Sequence, residues 1–336
     1  MTIKFAIAGT GWVAGQYFQA ILSNEGAELT AVYSKNRERA VRKLKELGVE
    51  ARVYDDFEDM VKNPLIDAVI LCSTPDVRPS QAIMAAREGK HLVLEKPLAL
   101  DPASMGEMAE AIARTPVKTV ASFVLRWNPA FNMTKALIED DALGRIHMAQ
   151  IDYWHHVGPQ YAQYRWSSGK ALGGSSILSA GCHAVDALRY FAGDVVEVFA
   201  YGSKTWDHSE YGFDPNALAI CRLKNGGLGK VSSSLECKTT YKFNVHLLGE
   251  KGTMLNNKLF SHKFPGQTDY ADIPTQLPDS GDVSHHPFQA EINDFVDAIR
   301  YDRTTKCDFF DAYKSMEVSF AIDESIATGA KVVLPH

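Results

Sequence analysis

An apolar run, Lys4 to Ala8, leads directly into Gly9-Thr10-Gly11-Trp12-Val13-Ala14, and a helix-forming segment follows at once. A chain that turns on G-x-G-x-x-G/A between a strand and a helix is committed to a βα unit with an anion site at its helix N-terminus. Gly9 permits the tight turn, Gly11 lets the backbone approach a pyrophosphate, and Ala14 allows close helix packing. The pattern predicts dinucleotide binding through Gly9, Thr10, Gly11, Trp12 and Val13.

That unit heads a series. To Val124, short β-rich runs alternate with amphipathic segments, the signature of βαβ units winding a parallel sheet. Strands are expected at Lys4–Ala8, Leu29–Tyr33, Arg52–Tyr54, Ala68–Cys72, His91–Leu94 and Thr119–Val124. Helices are expected at Trp12–Asn24, Arg37–Leu47, Phe57–Lys62, Pro79–Glu88 and Pro102–Arg114, the last started by an Asp101 N-cap with proline at N1. Beyond Val124 the rhythm changes to β runs punctuated by Gly and Asn. Ile146–Trp154, Val195–Tyr201, Ala217–Leu223, Gly229–Glu236 and Lys242–Leu248 read as strands, with Asn225-Gly226-Gly227 a hairpin turn. Two helices, Phe288–Arg300 and Phe309–Thr328, precede a short strand at Lys331–Leu334, and Phe264–Pro287 reads as a long surface loop.

The fold class expected is α/β: a doubly wound parallel sheet in residues 1–124, then a domain over 125–336 with a large, mostly antiparallel open sheet. The closing helices are expected to pack back near the junction. A length of 336 residues suits two domains at about 150 residues each. A net charge of -6 lacks the basic footprint of a phosphate-backbone binder, so nucleic acid is excluded as a partner. No apolar stretch approaches the roughly 18 residues of a membrane span, and the N-terminus reads as a strand rather than a cleaved leader. Five scattered cysteines without a C-x-x-C pair indicate neither a disulfide framework nor a thiolate zinc site, which favours the cytoplasm. His155-His156 and His285-His286 lack the i, i+4 spacing and carboxylate of a helix-borne metal site, so no metal is expected.

The second strand should end on the residue that reads the adenosine ribose. Here it ends on Ser34-Lys35-Asn36-Arg37-Glu38-Arg39, with no acid at the strand end. A hydroxyl with nearby cations suits a 2′-phosphate, whereas a carboxylate would repel one, so NADP is favoured over NAD. The alternative is that Lys35, Arg37 and Arg39 only solvate a surface.

Cys72-Ser73-Thr74-Pro75 and Glu95-Lys96-Pro97-Leu98, with the N-terminal fingerprint, resemble the glucose-fructose oxidoreductase, inositol dehydrogenase and rhizopine-catabolism (Gfo/Idh/MocA) family. The resemblance runs through Gly173-Gly174 and Gly181-Cys182-His183-Ala184-Val185-Asp186 to the EINDFVDAI and LP endings. It implies a Rossmann domain, with Ser73, Thr74, Pro75, Glu95, Lys96 and Pro97 against the cofactor. It also implies a second domain whose sheet carries substrate on one face and often a subunit contact on the other, hence a homodimer or homotetramer. By the same resemblance Lys96 sits beside the nicotinamide and the reacting hydroxyl, where a cation stabilises the developing alkoxide.

The family pattern D-x-G-x-H is broken here: His183 is present, but the acid position is Ser179. His183 is then the proton-transfer residue, because imidazole titrates near neutral pH. Ser179 can orient a hydroxyl without supplying charge. Asp186, one turn on, reads chiefly as a structural salt-bridge partner. Tyr153, Tyr161, Arg165 and Trp166 combine aromatic faces and a guanidinium of the kind a sugar ring needs, and Arg126-Trp127 at the junction form a second wall. The function implied is hydride transfer between NADP(H) or NAD(H) and a secondary alcohol or ketone of a sugar, sugar derivative or cyclic polyol. Two alternatives stand beside it: a lyase or glycosidase working by transient oxidation, and a non-catalytic dinucleotide-binding regulator.

Overall fold

The computed structural model describes residues 2–204, 210–279 and 286–335. Its first stretch runs β1 (Ile3–Ala8), α1 (Ala14–Leu22), β2 (Ala27–Tyr33), α2 (Arg37–Leu47), β3 (Arg52–Tyr54), α3 (Phe57–Val61), β4 (Ala68–Leu71), α4 (Arg78–Arg87), β5 (His91–Leu94), α5 (Pro102–Ala113) and β6 (Thr119–Ala121). A 3₁₀ turn over Val124–Trp127 leads to α6 (Pro129–Glu139), β7 (Ile146–Trp154), α7 (Tyr164–Ser167) and α8 (Lys170–Gly173). A π turn at Ile177–Gly181 opens into α9 (Cys182–Ala192). Then come β8 (Val195–Ser203), β9 (Asn216–Leu223), β10 (Leu228–Ser234), β11 (Lys242–Gly249), β12 (Gly252–Leu255), β13 (Lys258–Ser261) and β14 (Ala271–Asp272). The chain closes with α10 (Phe288–Arg300), α11 (Phe309–Thr328) and β15 (Val332–Val333). Among the described residues no helix is long and apolar enough to cross a membrane.

Two compact units result, residues 1–124 with 287–313 and residues 125–286 with 314–336. The first holds a six-stranded parallel sheet in the order β3-β2-β1-β4-β5-β6. Its central strands are continuously apolar and buried, as strands covered on both faces must be. Caps set the helix starts: Asn36, Asp56 and Asp101 accept the amides of Arg39, Asp59 and Ser104. The assignment of everything after residue 124 to the second domain is corrected by α10. Its apolar stripe of Phe288, Ile292, Phe295 and Val296 packs against α1, with Phe295 on Phe5 of β1, so 287–313 folds with the first unit.

The second unit is built on a nine-stranded sheet in the order β14-β13-β12-β11-β7-β10-β9-β8-β15, antiparallel except for the β7–β10 pair. α9, buried along nearly its whole length, packs on β7 and β10. The fold is therefore α/β with one parallel and one mostly antiparallel sheet.

Three local expectations differ. The strand expected over Thr119–Val124 stops at Ala121, because Phe123 donates its amide back to the Ala121 carbonyl at 2.7 Å and turns the chain out of the sheet. α1 starts at Ala14 rather than Trp12, since Trp12 and Val13 form the turn that accepts the first helical amides. The loop expected from Phe264 contains β14, which pairs with β13 to extend the sheet edge, and β12 and β13 were themselves not foreseen.

Candidate functional site

In the first unit the loops after β1, β2, β4 and β5 gather at the C-terminal ends of the strands. The order places β1 beside β4, the point where the winding reverses and where doubly wound sheets bind their ligands. Gly9 has φ +102°, and a Cβ there would lie 2.8 Å from the Cys72 carbonyl oxygen, so only glycine fits where the β1 turn crosses the β4 loop. Over Gly11 a Cβ would meet nothing within 4 Å. The backbone there is bare to an incoming group, and α1 begins just beyond it, which is the cradle a pyrophosphate requires. Trp12 is exposed, as a residue flanking that cradle should be.

Ser34 is buried at the end of β2. Its hydroxyl lies 3.1 Å from that of Thr10 and accepts the Asn36 amide at 3.2 Å, tying the end of β2 to the glycine turn. Lys35 and Arg39 are exposed. Arg37 pairs with Asp55 at 2.7 Å, but both groups are more than half exposed, so the pair is weak.

One residue that the sequence did not single out organises the other two loops. Arg78, buried on α4, donates to the Ser73 carbonyl at 2.5 Å and to the Pro97 carbonyl, pinning the Ser73-Thr74-Pro75 turn to the Glu95-Lys96-Pro97 turn. The Lys96-Pro97 peptide is cis. Glu95 is buried; its Oε2 accepts the Lys96 amide at 3.0 Å and its Oε1 accepts the Tyr17 hydroxyl at 2.8 Å. The Lys96 side chain is half-buried.

In the second unit His183 is buried one residue into α9, directly after the π turn that carries Ser179. A widened turn of this kind is often found at functional sites, and nothing in the local sequence announces it. The His183 ring stacks on Tyr153, centroids 6.2 Å apart and planes 11° apart. Tyr153 is joined through its hydroxyl to His155 Nδ1 at 3.3 Å, and His155 Nε2 lies 2.9 Å from the Tyr161 hydroxyl. Tyr241 packs edge-on against both Tyr153 and His155. Burial pushes the Tyr153 and Tyr241 phenols well above their ordinary range, so both stay neutral.

The structure thus brings Tyr153, Tyr161 and His183 together, with His155 and Tyr241 as members the sequence reading left without a role. Arg165 and Trp166 stand exposed on the single turn of α7. Arg126, expected to wall the substrate site, is committed elsewhere. Its guanidinium grips Asp186 through two bonds of 2.8 and 2.6 Å with both groups buried, and Ser315 also donates to Asp186 at 2.7 Å. The Trp127 side chain is buried beside it in sequence. A buried pair so satisfied is structural, because removing either partner strands a charge. Asp323 on α11, hydrogen-bonded to Ser175 and raised to about 6 by burial, is a further acid that the sequence reading passed over.

Among the described residues no group of three or more His, Cys, Asp or Glu side chains is placed to hold a metal ion; His285 lies outside those residues.

Residues 3–123 match the oxidoreductase family with NAD-binding Rossmann fold, and residues 131–255 match the GFO/IDH/MocA C-terminal domain. A myo-inositol 2-dehydrogenase of Thermotoga maritima is 29% identical over 254 residues, 74% of each chain. A scyllo-inositol 2-dehydrogenase (NAD(+)) of Bacillus subtilis is 25% identical over 338 residues, 99% of this chain and 96% of that one. Among solved structures, levoglucosan dehydrogenase in complex with NADH and levoglucosan superposes with a TM-score of 0.90 at 20% identity, covering 100% of both chains.

Proposed function

Since this chain belongs to the GFO/IDH/MocA family of NAD(P)-dependent oxidoreductases, we propose that it moves hydride to or from a secondary carbinol carbon of a sugar, sugar derivative or cyclic polyol. The observation that carries the reading is the bare backbone over Gly11 at the point where the winding reverses, with Lys96 on the turn of a nearby strand. Gly9, Thr10, Gly11, Trp12 and Val13 hold the pyrophosphate; Ser34, Lys35 and Arg37 hold the ribose end; Ser73, Thr74, Pro75, Glu95 and Pro97 line the remainder. When bound, the dinucleotide supplies or accepts the hydride.

The chain's own residues supply orientation and the proton. Lys96 donates a hydrogen bond from Nζ to the substrate oxygen and stabilises the charge that grows on it as the hydride leaves the carbon. His183 takes the hydroxyl proton at a ring nitrogen, or returns it in the reverse direction. Its ring is held in place by the Tyr153 face, so proton transfer does not wait on a rotamer search. Ser179 orients a substrate hydroxyl, while Tyr161, Arg165 and Trp166 contribute the aromatic and guanidinium contacts of a sugar site.

The test is a screen of sugars, sugar phosphates and inositols with both cofactors, followed at the nicotinamide absorbance band. Turnover with a net absorbance change is expected. Product without a net change would replace this reading with a lyase or glycosidase that oxidises transiently, for which Ser179 in the acid position leaves room. Dinucleotide binding with no turnover on any member of the panel would make the chain a regulator.

The cofactor is proposed to be NADP(H) in preference to NAD(H), on the acid-free end of β2. Ser34→Asp is expected to invert the order of affinities, because the new carboxylate repels a 2′-phosphate and accepts from a free 2′-hydroxyl. Tighter NAD(H) than NADP(H) binding by the unaltered protein in a titration would refute the preference.

Self-association through the second sheet is proposed from the register. Tyr201 pairs with Leu218 and Phe199 with Ile220 across β8–β9, and Leu228 faces outward on β10; Tyr201, Leu218, Ile220 and Leu228 are all strongly exposed. An apolar face of this kind marks an interface, so light scattering at micromolar concentration is expected to report a dimer or tetramer. A monomer would contradict this. Five free thiols suit a reducing compartment, and the cytoplasm is the proposed location.

A further inference from the structure

Inside the first unit a line of oxygen atoms runs from the C-terminal helix to the Lys96 turn. Glu291 on α10 is fully buried, and its Oε1 lies 2.7 Å from Ser122 Oγ. Ser122 Oγ lies 2.5 Å from the Tyr17 hydroxyl, which lies 2.8 Å from Glu95 Oε1. Glu95 Oε2 accepts the Lys96 amide. Three oxygen-to-oxygen links therefore join Glu291 to Glu95, and each requires one proton. The two hydroxyls bring only two.

Were both carboxyls ionised, Ser122 would donate to Glu291 and Tyr17 to Glu95, leaving two oxygens 2.5 Å apart with nothing between them. The third proton must sit on a carboxyl. Both Glu95 oxygens already act as acceptors, Oε2 from the Lys96 amide and Oε1 from the Tyr17 hydroxyl, and the group faces the Arg78 guanidinium. Glu291 Oε2 has no described donor and the side chain has no exposure to water, so its charged form would have the Ser122 hydroxyl alone against the full cost of burial.

We propose that Glu291 is a neutral carboxylic acid heading a one-way hydrogen-bond chain, Glu291 to Ser122 to Tyr17 to Glu95, that positions the Glu95 carboxylate against the Lys96 backbone. Glu291, Ser122 and Tyr17 are positioning residues; none is placed on substrate or cofactor. The consequence for turnover rests on the reading of Lys96 given above, but the chain itself does not.

Burial pushes the Glu291 carboxyl up to about 8, in keeping with the count of protons. The groups facing it are Glu95 after β5, Tyr17 on α1, Ser122 after β6, Cys72 after β4 and, on its own helix, Asp294. Burial raises the Tyr17 phenol and the Cys72 thiol well above their ordinary values, so neither competes for the proton near pH 8. Above that pH Glu291 ionises, the chain loses its third proton, and the link to Lys96 loosens.

The experiment compares the full chain with Glu291→Gln, whose amide donates to Ser122 and keeps the chain's direction without a titratable proton, and with Tyr17→Phe, which cuts it. Selective lysine labelling with assignment of the Lys96 amide gives a readout that needs no substrate. The Lys96 amide proton shift is expected to titrate with a midpoint near 8 in the unaltered protein, to be flat across that range in Glu291→Gln, and to be displaced at all pH values in Tyr17→Phe. Infrared difference spectra at pH 7 should show a protonated carboxyl band that Glu291→Gln removes. The folded pKa lies above the unfolded one, so the native state holds a proton that the unfolded chain releases; the Tm should therefore fall from about pH 5 to about pH 8 by an increment absent in Glu291→Gln. Absence of the carboxyl band, or a Lys96 amide shift indifferent to both variants, would overturn the proposal. Full activity of a Lys96→Ala protein would instead overturn the reading of Lys96 and leave these signals unchanged, so the two failures are distinguishable.

Discussion

Lys96→Ala is expected to lower kcat and kcat/KM together by roughly 10² to 10³, with dinucleotide affinity nearly unchanged. The size follows from a hydrogen bond that strengthens only as charge accumulates on the reacting oxygen: a loss of this order is about 3 to 4 kcal/mol of transition-state stabilisation. Affinity should survive because the cradle for the dinucleotide is built by backbone and by buried groups that Lys96 does not hold. Gly9 is fitted against Cys72, Thr10 is linked to Ser34, and Arg78 pins the Ser73 and Pro97 carbonyls. The Lys96 amide is fixed on Glu95, and alanine keeps that amide. Steady-state kinetics beside a binding titration separates the outcomes. A rise in KM with unchanged kcat would reduce Lys96 to a uniform binding contact, and a fall in dinucleotide affinity as large as the fall in kcat would make it part of the cofactor cradle.

His183→Ala should cost a roughly comparable 10² to 10⁴ and flatten one limb of the pH–rate profile, because a proton carrier is lost rather than a contact. The ring is buried and lies nearly parallel to that of Tyr153. Ser179→Ala should be milder, since a neutral hydroxyl contributes on the order of 1 kcal/mol of orientation. If His183→Ala kept full turnover with an unaltered profile, proton transfer would have to run through Lys96 or through the Tyr161–His155 pair, whose 2.9 Å link makes it the next candidate. Tyr161→Phe in the His183→Ala background would then show the loss that His183→Ala alone did not.

What could be read from the order of residues is what depends on near neighbours in the chain. The first strand and its glycine turn, the Asp101 cap, and the limits of β3, β5, α2, α10 and α11 all follow from spacings of two to four residues. The α6 start is legible in the same way, from an Asn128 cap followed by Pro129. Glu291 carried a readable signal too, a carboxyl three residues after Phe288 and next to Ile292 on the stripe α10 buries.

Tertiary structure alone decided where polar groups at long separation meet. Arg126 lies 60 residues from Asp186, and Ser122 lies 169 residues from Glu291, yet each pair shares a buried hydrogen bond. Nothing in either local sequence distinguishes a guanidinium bound for substrate from one bound for a buried carboxylate. The same holds for the parallel β7–β10 pair, for α10 folding with the first unit, and for the aromatic partners of His183. By itself the sequence determined the βα order, the glycine turn and the residue types available for chemistry, because backbone dihedrals and caps are settled by neighbours in the chain. Which of those residues are consumed by the fold and which stay free to react was decided in three dimensions, because a buried charge or hydroxyl must find a partner wherever the packing places one.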